Sequence, residues 1–89
     1  MKATSILHVE NERVVVTEWR FEPGAETGHH VHAHDYVVIP LVDGVLRIGS
    51  LESQLRAGEA YARFSGVAHN VVNAGPHEFR FVEVELKLW

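Results

Sequence analysis

Four of the seven histidines in this 89-residue chain stand within six residues, at His29, His30, His32 and His34, and His69 follows far downstream. Neutral imidazole is the commonest protein ligand for divalent transition metals. In an extended strand successive side chains alternate between faces, so His30 and His32 point the same way. Two parallel imidazoles need a third donor to hold a metal, and His69 is the obvious candidate. His34 joins that face if the strand runs on regularly, which makes it a possible fourth ligand. Asp35 is the only nearby carboxylate, but strict alternation sets it on the opposite side. His29, adjacent to His30, faces outward, and His8 and His77 read as ordinary surface residues. Ligation requires neutral rings, so metal affinity is expected to fall below about pH 6.5.

The elements that must position these residues are marked by turn chemistry. Glu22-Pro23-Gly24, Asp43-Gly44, Ala57-Gly58, Ser65-Gly66 and Asn73-Ala74-Gly75-Pro76 divide the chain into short segments. Between them lie runs rich in β-branched and aromatic residues, over 13–21, 36–42, 45–48, 60–64, 70–73 and 79–88. In the last run Val82, Val84, Leu86 and Leu88 share one face and Glu83, Glu85 and Lys87 the other. Phe79 and Phe81 fall on the charged face, so both faces are expected to be covered near that end. No window carries a helical apolar stripe with caps. The pattern predicts about eight short strands and essentially no helix, a sandwich or barrel in one domain over 1–89. Asp43-Gly44 is the strongest hairpin signal, and Pro40 predicts a bulge or an edge within its strand. Phe21 and Tyr61 read as core, and Phe64 as lining or plugging the barrel.

Composition narrows the function. The net charge is −4 and no basic run occurs, which argues against nucleic acid and against an anionic membrane surface. The absence of cysteine excludes disulfides, thiolate metal sites and thiol nucleophiles. No apolar run reaches bilayer length, and Met1-Lys2-Ala3-Thr4-Ser5 has no secretory pattern. A soluble, cytoplasmic protein is the expectation.

Taken with the glycines, the histidine spacing resembles two motifs of the cupin superfamily. Gly24, five residues, His30, one residue, His32 and a strand running to Gly44 resemble the first. Gly58, seven residues, Gly66, two residues, His69, three residues, Asn73 resemble the second. The flanking segments Pro23 to Gly28 and Asp35 to Leu41 are similar to those of small single-domain cupins, some of them associated with beta-alanine degradation. The resemblance implies an all-β fold, a double-stranded β-helix or cupin jelly-roll barrel, with a divalent metal (Fe, Ni, Zn or Mn) held by His30, His32 and His69 in its mouth.

Two departures stand out. Phe64 occupies a usual proline position. More consequentially, the motif's glutamate falls on Tyr36 or Val37, neither a carboxylate. A three-histidine site then remains, a type the resemblance associates with certain dioxygenases of the superfamily. Tyr36 shares the inward face and is the candidate catalytic side chain, its hydroxyl reaching a metal-bound water or substrate; simple packing is the competing role. Arg63 could bind a substrate carboxylate bidentately or lie on an exposed strand. The expected function is a metal-dependent small-molecule enzyme, with oxygenase chemistry ahead of isomerisation. The alternative is a non-catalytic module that senses or binds a metal or small ligand. The expected partners are a small-molecule ligand or substrate and a second copy in a homodimer.

Overall fold

The computed structural model describes residues 1–87, so the part of the last run at Leu88 lies outside the described residues. Ten strands and no helix are present among them: β1 Thr4–Glu10, β2 Val14–Phe21, β3 His30–Val31, β4 Asp35–Pro40, β5 Gly44–Ile48, β6 Leu51–Leu55, β7 Tyr61–Arg63, β8 Ala68–His69, β9 Val71–Asn73 and β10 Phe79–Leu86. No helix among these residues is long and apolar enough to cross a membrane. Five strands form one antiparallel sheet in the order β1-β2-β10-β4-β7, and β6-β5-β9 form a second. A short ladder, β3-β8, pairs His30 directly with His69. The sheets close on a shared core of Phe21, Val38, Phe79 and Phe81 from the first and Leu46 and Val71 from the second, a jelly-roll barrel of the double-stranded β-helix kind.

Two strands exceed the expected number because their sequences carry no burial signal. β1 is exposed at all but one position, and in β6 only Leu55 is even partly covered. Each is an edge strand, where one neighbour supplies the hydrogen bonds and little side-chain burial is required.

Asp43-Gly44 does not make a hairpin. β4 pairs with β10 and β7 whereas β5 pairs with β6 and β9, so this turn carries the chain from one sheet to the other. The Asp43 carboxylate accepts the Ala57 amide at 2.8 Å, which ties the crossing to the loop before β7. Gly44 is required for space and not for a left-handed backbone: a Cβ there would fall 2.3 Å from the Phe79 ring. The tight two-residue hairpin lies instead at Gly49-Ser50, between the paired Ile48 and Leu51, with Gly49 at φ 63°.

Pro40 meets its edge expectation. It pairs with Phe81 without a register shift, and β7 reaches only as far as Val38 on the other flank. Phe64, by contrast, is 79% exposed and plugs nothing. Asn73 is almost wholly buried and closes its own turn: its oxygen accepts the Gly75 amide while its nitrogen donates to the carbonyls of Phe21 and His77.

Candidate metal centre

The β3-β8 ladder brings two distant parts of the chain into register. His30 and His69 are cross-strand partners, and the pairing continues through His32, whose amide donates to the Val67 carbonyl and whose carbonyl accepts the Gly66 amide. The three rings converge on their Nε2 atoms. His30 and His32 are 3.0 Å apart, His32 and His69 3.1 Å, and His69 and His30 3.0 Å. These three form the metal-competent group of histidine and carboxylate side chains among the described residues.

His30 Nδ1 lies 2.8 Å from the Gly28 carbonyl, so it carries the proton and leaves the Nε2 lone pair facing the other two rings. Lone pairs pointed at one another at this distance repel unless a cation lies between them. With metal–nitrogen bonds of about 2.1 Å, donors about 3.0 Å apart subtend roughly a right angle, as on one face of an octahedron. The donor set therefore fits a divalent transition metal. Burial, and then the charges of neighbouring histidines, lowers the pKa of both His32 and His69 to about 4, which keeps these rings in the ligating form well into acid. At these two ligands competition from protons is accordingly expected at more acidic pH than the ordinary histidine value.

The surrounding residues fix these orientations. The Thr27 hydroxyl donates to the Gly28 carbonyl at 2.9 Å and accepts the Val71 amide, while Asn70 accepts the Gly28 amide. His30 is thus held through a backbone carbonyl that is itself anchored. Tyr36 stacks on His32, ring centroids 3.9 Å apart and planes 21° from parallel. Burial and the nearby Glu83 charge push its phenol up to about 12, so at neutral pH it is a donor and not a base.

Glu83 was not singled out by sequence, yet it lies at this centre. Trp19 Nε1–H donates to its Oε2 at 3.1 Å, and its Oε1 lies 3.3 Å from His32 Nδ1. That Oε1 is closed to solvent and makes no hydrogen bond. Burial, then the charge of Glu85, raises the carboxyl to about 7, partly offset by the Trp19 bond. The signal was present in the last run: Phe79, Phe81 and Glu83 alternate on one face, and that face is the buried one. The Val82-Val84-Leu86 face, more uniformly apolar, is only partly covered.

The remaining candidates lie outside the three-histidine group. The chain bends at Ala33-His34, between β3 and β4, and this break in the strand separates His34 from the regular alternation that would have joined it to the cluster. Asp35 accepts the Ser65 amide at 2.8 Å. His29 and His77 are exposed, and His8 is exposed and bonded to Glu18 on the outer sheet. Arg63 is exposed on β7, with its guanidinium 4.6 Å from the centroid of the Tyr61 ring, and it reaches the wall of the cavity.

That cavity, about 230 Å³, opens from the three histidines into the barrel between Tyr36, Leu46, Tyr61 and Phe81. A second recess of about 330 Å³ approaches His30 and His32 between Thr17, Ala33 and Glu85. The first holds both the apolar wall and the candidate ligands, the combination typical of small-molecule sites.

Comparison with known proteins agrees with this arrangement. The family model described as Cupin domain matches residues 17–85. A curated relative, the beta-alanine degradation protein BauB of Pseudomonas aeruginosa, is 54% identical, over 97% of this chain and 95% of its own length. Among solved structures, a cupin domain from Bordetella pertussis Tohama I superimposes with a TM-score of 0.94 at 50% identity, covering 98% of this chain and 95% of that one. A protein with a double-stranded β-helix domain from Klebsiella pneumoniae gives 0.81 at 26% identity, over 97% and 77%. The polyketide cyclase RemF of Streptomyces resistomycificus gives 0.79 at 21% identity, over 98% and 66%, and shares the fold. With the barrel, the spacing and the family match in agreement, this chain belongs to the cupins.

Proposed function

We propose that this cupin is a metal-dependent enzyme acting on a small molecule, with His30, His32 and His69 as the metal ligands and Fe, Ni, Zn or Mn as the metal. One observation carries the reading: three Nε2 atoms 3.0–3.1 Å apart meet at the wall of a cavity of about 230 Å³. A divalent metal bound there would supply Lewis acidity to a substrate oxygen and, as iron, a place for dioxygen.

The chain's own residues would do the rest. Leu46, Tyr61 and Phe81 exclude water from the apolar part of a substrate. Tyr36 holds His32 by stacking and offers a protonated phenol. Arg63 stands at the rim, suited to a carboxylate. The Pseudomonas relative is named for beta-alanine degradation, which supports a small carboxylate-bearing metabolite as the substrate class. Glu83 lines the cavity but has Oε1 closed to solvent and Oε2 bonded to Trp19, and Tyr36 is a poor base. Chemistry driven by oxygen or by Lewis acid is therefore favoured over proton abstraction by a side chain.

The test is oxygen uptake by tag-free protein loaded with Fe(II), across short-chain carboxylates, thiols and diketones, beside product analysis with Zn(II), Ni(II) and Mn(II). Turnover that is lost in His69→Ala supports the proposal. Metal uptake without turnover on any of them favours the second reading, a metal or small-ligand binding module.

A further inference from the structure

We propose that Glu83 is the positioning residue of His32, an acceptor for its Nδ1–H that replaces, from β10 and one ring removed from the metal, the carboxylate missing from the first motif. The inference rests on the three-histidine reading of the site. Three observations carry it.

The first is an imbalance between the ligands. His30 has its Nδ1 proton held by the Gly28 carbonyl at 2.8 Å, whereas among the described residues the charged group paired with His32 Nδ1 is Glu83 Oε1, at 3.3 Å. A ligating histidine whose second nitrogen is unrestrained can turn or take the wrong tautomer. The second is an orphaned acceptor. Glu83 Oε1 is buried without a hydrogen bond, a costly arrangement for a carboxylate unless a donor meets it. The two unmet needs lie opposite each other at 3.3 Å, and a small reorientation of ring or carboxylate that aligns them satisfies both.

The third is that the carboxylate is held in place. Trp19 Nε1–H anchors its other oxygen from β2, and the β10 register sets Glu83 between Thr17 and Val38 in the middle of the five-stranded sheet. His32 is fixed as firmly, 8% exposed with Tyr36 stacked on its ring. Although Glu83 lines the cavity, its Oε1 is shut off from solvent and its Oε2 is taken by Trp19, which places the carboxylate to act on His32. Of the two residues at the motif's glutamate position, Tyr36 lines the cavity, and the carboxylate stands instead behind the ligand. There it strengthens the imidazole as a donor without occupying a coordination position.

Zn(II) affinity, measured by competition with a chelating dye at pH 7.5, tests this in the full chain. Glu83→Leu is expected to weaken Zn(II) binding by about 10- to 100-fold, while the melting temperature of the metal-free protein changes little, the lost Trp19 bond being set against the removal of a buried oxygen that has no partner. Glu83→Gln, which keeps an acceptor oxygen, should recover most of that affinity, and Glu78→Gln on the exposed turn should match the parent. The ¹⁵N shifts of His32 should report a proton fixed on Nδ1 in the parent and a mixture of tautomers in Glu83→Leu. A merely structural role would lower the metal-free melting temperature and leave the tautomer unchanged, which overturns the proposal. So does a Glu83→Leu affinity within twofold of a parent that binds Zn(II). Should Glu83→Leu not fold, Glu83→Met, of similar length and without an acceptor oxygen, takes its place, and an affinity within twofold of the parent with an unchanged His32 tautomer overturns the proposal equally. A parent that takes up no Zn(II) overturns the three-histidine reading and this inference together.

Discussion

The aromatic core and the histidine centre occupy the same barrel but are held together in opposite ways. In the core, Phe21, Leu46 and Phe79 are 0–1% exposed and satisfied by shape alone, so closely that Gly44 has no room for a methyl group against Phe79. In the centre, the buried groups are polar and mutually incomplete. Three Nε2 lone pairs face one another, and a carboxylate oxygen faces a ring nitrogen at 3.3 Å. The difference separates what stabilises the fold from what serves a ligand. A core satisfied by packing loses stability when it is cut; a centre whose groups repel when empty loses ligand and little else.

Substitutions can break that comparison or sharpen it. The largest effect belongs to His69→Ala, which should abolish tight binding of Zn(II) or Fe(II) while leaving a folded barrel, read by dye competition and circular dichroism. Phe79→Ala should do the reverse. A loss of about 3–5 kcal/mol in urea unfolding is expected from so large a buried cavity, with metal affinity of the folded fraction unchanged. Gly44→Ala presses a methyl group into the same ring and should cost about 1–3 kcal/mol, the usual range for overpacking, again without an effect on metal.

A smaller, signed effect follows from pH in the metal-free protein. His32 and His69 have an ordinary value of 6.5 and a folded value of about 4, so between these the unfolded chain binds more protons and stability falls as pH falls. Glu83 has an ordinary value of 4.5 and a folded value of about 7, so it contributes stability at low pH that is lost as pH rises through that window. Two groups outweigh one. Melting temperature should therefore drop from pH 6.5 towards 4.5, and drop more steeply in Glu83→Gln, where the opposing group is gone. The smallest effect is expected for His34→Ala and His77→Ala, each leaving Zn(II) affinity within about twofold of the parent; a larger loss in either would break the assignment of the centre.

Much of this was legible in the residues. An all-β sandwich or barrel could be read because turn glycines and β-rich runs alternate, and the barrel followed from the cupin resemblance. The histidines stood out because one residue type recurs at strand spacing. What escaped had physical reasons. β1 and β6 are edge strands with exposed faces, and burial is the signal that sequence patterns carry. Asp43-Gly44 has hairpin chemistry, but local turn preference does not record which sheet the next strand joins. His34 is a possible fourth ligand only by an alternation that a single bend interrupts. Glu83 was hidden by a strand with two plausible inward faces, where Phe79 and Phe81 decided the matter against a longer row of aliphatics.

The ladder that joins His30 to His69 is only two residue pairs long, too short to persist by its own hydrogen bonds. Its partners are separated by 39 positions of chain. Anything that grips the rings of both closes a loop of that length, and in the chain-entropy picture a permanent closure of this size is worth on the order of 4 kcal/mol, most of it taken from the disorder of the unfolded chain. In a protein without cysteine, a metal at this point would act as a reversible clasp. Loading the centre should then slow unfolding, and a chelator should release the mouth of the barrel before the rest of the structure gives way.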